Sequence, residues 1–285
     1  MRRYAIPFVT LWVMACGSSG ADRAPAPADS SAASAAVTAR SDSGLAPMMS
    51  WPDSLGGFLA VANGSTGVAL LFRRDTSAAV DGIGVVGFDS VATPAVLRDV
   101  RPVPCAARAL LRLSDAPGGW TLALDAARAH PLLVDALEDL ARADSQRVVV
   151  RIQRALNTLP DTGAAMEFRG LPVVVRDVWI VHTPTGPLVV ARAARLRNLE
   201  ATAHEELRFI VLDGDQPRYV ARVAGDEESV ESWELLAALS IQGRPWLAVA
   251  REGVGSMQLE FVALDGVTGR SVWRSDALAC VRTTR

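Results

Sequence analysis

The sequence predicts a β-rich α+β fold. Its C-terminal half reads as an antiparallel meander, closed as a barrel or packed as two sheets, with a short helical pair before it. Three observations predict this. From about residue 166 onward, short apolar runs recur between turn-forming residues. Between residues 131 and 160, apolar residues fall twice at helical spacing. The 285 residues are 50% hydrophobic and 21% charged, which supplies a core and excludes wholesale disorder.

Taken in order, 57–62 and 67–72 flank Asn63-Gly64 and predict a β-hairpin, because Asn-Gly adopts the positive φ angles of a type I′ turn. Residues 107–113 and 120–124 flank Asp115-Ala116-Pro117-Gly118 and predict a second hairpin. Leu133, Ala136, Leu137, Leu140 and Ala141 would line one face of a first helix, with Pro131 in its first turn. Val148, Ile152, Ala155, Leu156 and Leu159 would line a second, capped by Asp144 or Ser145 and stopped by Pro160. The run Val148-Val149-Val150 leaves a strand open as the alternative there.

Eight strands are then expected, at 172–182, 187–196, 206–212, 218–224, 233–241, 245–251, 257–264 and 270–274. The turns between them include Asp213-Gly214-Asp215, Gln242-Gly243, Gly253 to Gly255 and Asp265-Gly266. Such short connections force neighbouring strands antiparallel. The organisation read from this is a mixed half, 51–165, and a meander half, 166–285, as one domain or two closely packed halves.

The N-terminus carries an address. Arg2 and Arg3 precede an apolar stretch from Tyr4 to Ala15 that is too short to span a bilayer as a mature helix. It ends Val13-Met14-Ala15-Cys16, which resembles the lipobox of bacterial lipoproteins. The resemblance covers this signal segment alone. It implies that 1–15 is a cleaved signal peptide and that Cys16 becomes an acylated N-terminus anchoring the protein to a membrane. In that family an aspartate after the cysteine marks retention at the inner membrane. Gly17 stands there, which implies the outer membrane, with the protein facing the periplasm or the cell surface. Residues 16–50 are dominated by Ala, Ser, Pro, Gly and Asp and predict a disordered tether. Its 34 residues after the cysteine would reach roughly 30–35 Å.

All 29 basic residues are arginine. The absence of lysine excludes a Walker A loop, a kinase and Schiff-base chemistry, each of which needs a lysine amine. The formal charge of −2 argues against a nucleic-acid partner, whose binder should be strongly basic.

Each chemical motif stops short of its requirements. Gly82-Ile83-Gly84-Val85-Val86-Gly87 matches G-x-G-x-x-G, but Pro94 interrupts the helix that a dinucleotide site needs, so a glycine-rich loop or bulged strand is expected and no cofactor. His204-Glu205-Glu206-Leu207-Arg208 starts like H-E-x-x-H but puts Arg208 where a second zinc ligand belongs. Asp213 and Asp215, with Asp226, Glu227 and Glu228 of the following acidic run, are weak calcium candidates whose spacing matches no EF-hand loop. Ser65 lacks the glycine two positions before it that a nucleophile elbow has, and no catalytic residue is assigned. Ala263-Leu264-Asp265 with Thr268-Gly269 and Trp273 resembles one blade motif of quinoprotein-type β-propellers. No second copy occurs, so it reads as hairpin chemistry with Trp273 as packing.

The two remaining cysteines, Cys105 and Cys280, are candidates for one disulfide in an exported protein. The function expected is a membrane-anchored, non-catalytic binding or assembly module whose partner is another envelope protein or a glycan. An exported hydrolase with an unrecognised site is the alternative, as is a small apolar-ligand carrier if the meander closes as a barrel.

Overall fold

Among the described residues of a computed structural model, apolar alternation resolves into strands in three sheets, with a single long helix. The structure describes residues 51–62, 68–73, 80, 82–87, 92–102, 109–116, 118–198, 203–226, 230–253 and 256–275, all within the unit Val37–Arg285. The first sheet contains β1 (Phe58–Ala62), β2 (Val68–Arg73), β3 (Ile83–Val86), β4 (Thr93–Pro94), β5 (Val96–Pro102), β6 (Ala109–Ser114) and β7 (Leu122–Asp125). Their spatial order is β4-β3-β7-β1-β2-β6-β5. The expected β1–β2 hairpin is present, with Phe58 opposite Arg73 and Ala62 opposite Ala69; its Asn63-Gly64 turn lies outside the described residues.

The second expected hairpin is not formed. β6 and β7 both exist, but β2 and β1 lie between them, and β7 pairs instead with β1 and β3. Asp115 (φ 62°) and Gly119 (φ 80°) do reverse the chain as turn residues should. What overrides local pairing is burial: Leu122 and Leu124 of β7 join the core shared with the neighbouring sheet.

The first expected helix is also absent. Residues 129–136 form two short strands instead, β8 (Ala129–Pro131) and β9 (Val134–Ala136), followed by a 3-10 turn at Leu137–Asp139. β8 adds to one sheet and β9 to another, so backbone pairing with two long strands replaces the hydrogen bonds a helix would have made. The second helix is present as α1 (Arg142–Thr158). It starts a turn earlier than Asp144 or Ser145 would place it, with Ala141 at the N-cap, and ends two residues before Pro160.

All eight strands of the expected meander form. β10 (Val174–Thr183), β11 (Gly186–Asn198), β12 (Ala203–Asp213) and β13 (Gln216–Asp226) make a second sheet edged by β9. β14 (Ser232–Ile241), β15 (Arg244–Gly253), β16 (Ser256–Ala263) and β17 (Arg270–Arg274) make a third, edged by β8. Neither sheet closes on itself, so among the described residues there is no barrel and no lumen; the barrel alternative, and with it the basis for an apolar-ligand carrier, falls away.

The third sheet is the middle layer. Trp246, Ala248, Leu259 and Phe261 point from it into a core shared with Leu59, Phe72 and Leu122 of the first sheet. Leu235, Leu247, Val249 and Val262 point the other way, into a core shared with Val190, Phe209 and Val211 of the second. The outer face of the second sheet is covered by α1, whose Ile152, Ala155 and Leu156 pack on Ile180, Ala191 and Ile210. Strands buried on both faces read as nearly continuous apolar runs, as 235–241 and 245–250 do.

Candidate functional site

The helix-covered face of the second sheet carries a cluster of buried charges. Glu206 and Arg208 lie two apart on β12 and so point to the same face. The antiparallel register puts Arg195 of β11 opposite Glu206 and Arg222 of β13 opposite Arg208. Asp161 comes from the chain leaving α1. Arg195 Nε donates to Glu206 Oε2 at 2.6 Å, and Arg208 Nε donates to Glu206 Oε1 at 3.0 Å. Arg222 Nε lies 3.1 Å from the same Oε1. Arg208 Nη2 reaches Asp161 Oδ1 at 2.9 Å, and Arg195 forms a close two-nitrogen contact with the Asp161 carboxylate.

The same guanidiniums also tie down backbone. Arg208 Nη1 donates to Leu156 O, Arg222 Nη2 to Pro160 O, both at 3.0 Å, and Arg195 Nη1 to Phe168 O at 2.9 Å. Leu156 is in the last turn of α1, where its carbonyl accepts only a long 3.4 Å backbone bond from Leu159 N–H and the macrodipole favours positive charge. Glu206 is completely buried. Burial pushes its carboxyl above the usual range, against the opposing pull of Arg195 and then Arg222. Charges this deep contribute geometry more than net stability, because desolvation offsets most of their attraction.

A cleft of about 490 Å³ opens above this cluster. Gln153, Leu156 and Asn157 of α1 form one wall, and Gly170 to Val173 the other, with Leu159 and Asp161 at the end and Arg195 on the floor. Its size is that of a small-ligand or peptide site, and its lining is more polar than apolar, with Gln153, Asn157, Asp161 and Arg195 beside Leu156, Leu159 and Leu171. Four of Arg195's five N–H donors are engaged, and the fifth has no partner among the described residues. Glu206 does not line the cleft; it lies beneath Arg195. What the cleft offers a ligand is a fixed guanidinium, one carboxylate already paired with it, the polar side chains of Gln153 and Asn157, and a smaller apolar surface.

The motifs singled out from sequence are scattered. Ile83–Val86 is β3, paired with β7 and β4, and a strand rather than a helix follows it. His204 to Arg208 lies on β12, where neighbours alternate faces; His204 Nε2 meets Asp226 at 3.0 Å, while Glu206 and Arg208 enter the buried cluster. Of the calcium candidates, Asp213 and Asp215 at the β12–β13 turn are not brought to Asp226. Asp213 pairs with Arg218 at one end of the β12–β13 hairpin, and Asp226 sits at the other end, separated by the length of β13. Glu227, Glu228, Ser65, Cys16, Cys105 and Cys280 lie outside the described residues. Among the described residues, no group of three metal-ligating side chains converges, and no helix is long and apolar enough to cross a membrane.

Sequence reasoning missed Arg195, Arg208, Arg222 and Asp161. The available signal was charge inside apolar strand runs, as in Leu207-Arg208-Phe209, since a charge at a covered position must find a buried partner. No protein-family model, curated protein or solved structure matches the chain.

Proposed function

We propose that this is a lipid-anchored protein of the bacterial cell envelope whose folded domain is a non-catalytic binding or assembly module. The partner, another envelope protein or a glycan, is held in the cleft between α1 and residues 170–173. The observation that carries the reading is the state of the cleft floor. Its guanidinium is held by two carboxylates and a backbone carbonyl, a rigid recognition group rather than an acid or base poised to move a proton. The signal segment and Val13-Met14-Ala15-Cys16 support the anchor, with the outer membrane as its site and the domain facing the periplasm or the cell surface. A Cys105–Cys280 disulfide belongs to the same exported reading.

Crosslinking in the native envelope tests this reading. A photoreactive side chain in place of Asn157 is expected to yield a discrete crosslinked partner, and Leu171→Trp, which fills the cleft, is expected to abolish it. Crosslinking that Leu171→Trp leaves unchanged would reject the cleft. Cys16→Ser is expected to abolish acyl labelling and leave unprocessed precursor, and labelling that persists would reject the anchor.

A further inference from the structure

The outward face of α1 carries a second feature that the cleft does not use. Arg147, Arg151 and Arg154 stand at i, i+4 and i+7, one above another, with Val150 between them. This stripe is opposite the Ile152, Ala155 and Leu156 face that packs on the second sheet. The four side chains, with Ala143 and Gln146, line a shallow groove of about 430 Å³. Val150 is 53% exposed, an apolar side chain left among cations. Arg147 shares Asp144 at the surface. Arg151 and Arg154 have no carboxylate partner among the described residues, and Arg151 Nε is buried without a hydrogen-bond partner.

We infer that this face of α1 docks on the anionic headgroups of the phospholipid membrane to which the chain is tethered. The inference rests on the anchored reading above. Charge complementarity selects the occupant: guanidiniums engage headgroup phosphates bidentately, and an exposed Val between them can enter the interface. The chain outside the described residues supplies the second argument. The described residues begin at Trp51, and 34 residues separate it from Cys16. A flexible spacer of that length would place Trp51 at a root-mean-square distance of roughly 30–35 Å from the anchor, so a weak interfacial affinity of the folded part acts at high effective concentration. Docking through α1 would bring the adjoining cleft, which shares that helix, close to the membrane.

The test uses the acylated full-length mature chain in vesicles and measures energy transfer from its tryptophans to a dansyl-labelled lipid. Vesicles are of phosphatidylcholine alone or contain about 30 mol % phosphatidylglycerol. Sedimentation with the neutral vesicles reads the anchor alone; failure to sediment there would overturn the anchored reading and with it the tethering on which docking rests. Transfer is expected to rise roughly twofold in the anionic vesicles and to fall back as salt is raised from about 50 to 500 mM. The triple variant Arg147→Glu/Arg151→Glu/Arg154→Glu should remove the rise while still sedimenting. The variant Arg98→Glu/Arg101→Glu/Arg112→Glu, with the same charge change on β5 and β6, should keep it. Circular dichroism of each variant is the check that it is folded. Equal transfer in both vesicle types, or equal loss in both variants, would overturn the inference.

Discussion

Tyr219 sits between the second and third sheets and donates its hydroxyl to Glu260 at 3.2 Å. Burial first, and then the Glu260 charge, push the phenol far above its ordinary value of 10.0. The sign follows from linkage. Below about pH 10 the phenol is neutral in both folded and unfolded chains, and its full contribution is present; above that, only the unfolded chain releases the proton readily, so stability is lost as pH rises. The sequence has two tyrosines, Tyr4 and Tyr219, so a chain made to begin at Cys16 reports Tyr219 alone. Its tyrosinate absorbance is expected to appear only together with loss of the near-ultraviolet tryptophan signal. Titration near pH 10 in a protein whose tryptophan signal is intact would contradict the buried placement. At this scale the sequence was least legible. The i, i+2 spacing of Glu206 and Arg208 says that they share a face, but that the face is sealed depends on α1, some fifty residues earlier.

Elements were legible where turn chemistry and alternation agreed. The β14–β15 hairpin turns at Gln242 (φ 53°) and Gly243 (φ 75°), the two positive angles of a type I′ turn, and its strands run almost as read from the residues. They were illegible where long-range pairing decided. Leu133 to Ala141 keeps helical spacing, yet Leu132 and Val134 point into the core between two sheets, Leu137 and Leu140 pack under α1, and Leu133 is exposed. The turn between β16 and β17 offers a test at this scale. Gly269 donates its N–H to Arg218 O on β13, tying two sheets together. A Cβ there would lie 2.7 Å from Leu264 Cδ2 and 3.0 Å from Tyr219 Cβ. Gly269→Ala is therefore expected to cost about 1–3 kcal/mol in denaturant unfolding, through overpacking. Gly118→Ala meets nothing within 4 Å and should change stability by less than about 0.5 kcal/mol. Equal effects of the two would mean that the turn does not press on β13.

At the scale of the whole molecule, the stacking order was not readable from composition or period. An alternating strand specifies two faces but not what covers each, and the choice between barrel and layered sheets turns on partners distant in sequence. The result is a middle sheet that belongs to two cores at once, and this arrangement predicts one cooperative transition. Phe261 is fully buried on β16, with ring centroids 6.4 Å from Trp246 and 6.1 Å from Trp273. Trp273 in turn meets Trp51 and Phe72, at 5.1 and 5.7 Å, on the first-sheet side. Phe261→Ala leaves a cavity at that junction and is expected to cost about 3–5 kcal/mol. Over a folded part of this size, that lowers Tm by roughly 6–20 °C. Because β16 also carries Val262 into the core on the opposite face, the loss is shared by all three sheets. Near-ultraviolet dichroism, which follows the tryptophan cluster, and far-ultraviolet dichroism, which follows every strand, should shift by the same amount and keep a common midpoint. Two separated midpoints, one of them unmoved by the substitution, would show that the first sheet folds independently and that the shared middle layer does not bind the molecule into a single unit.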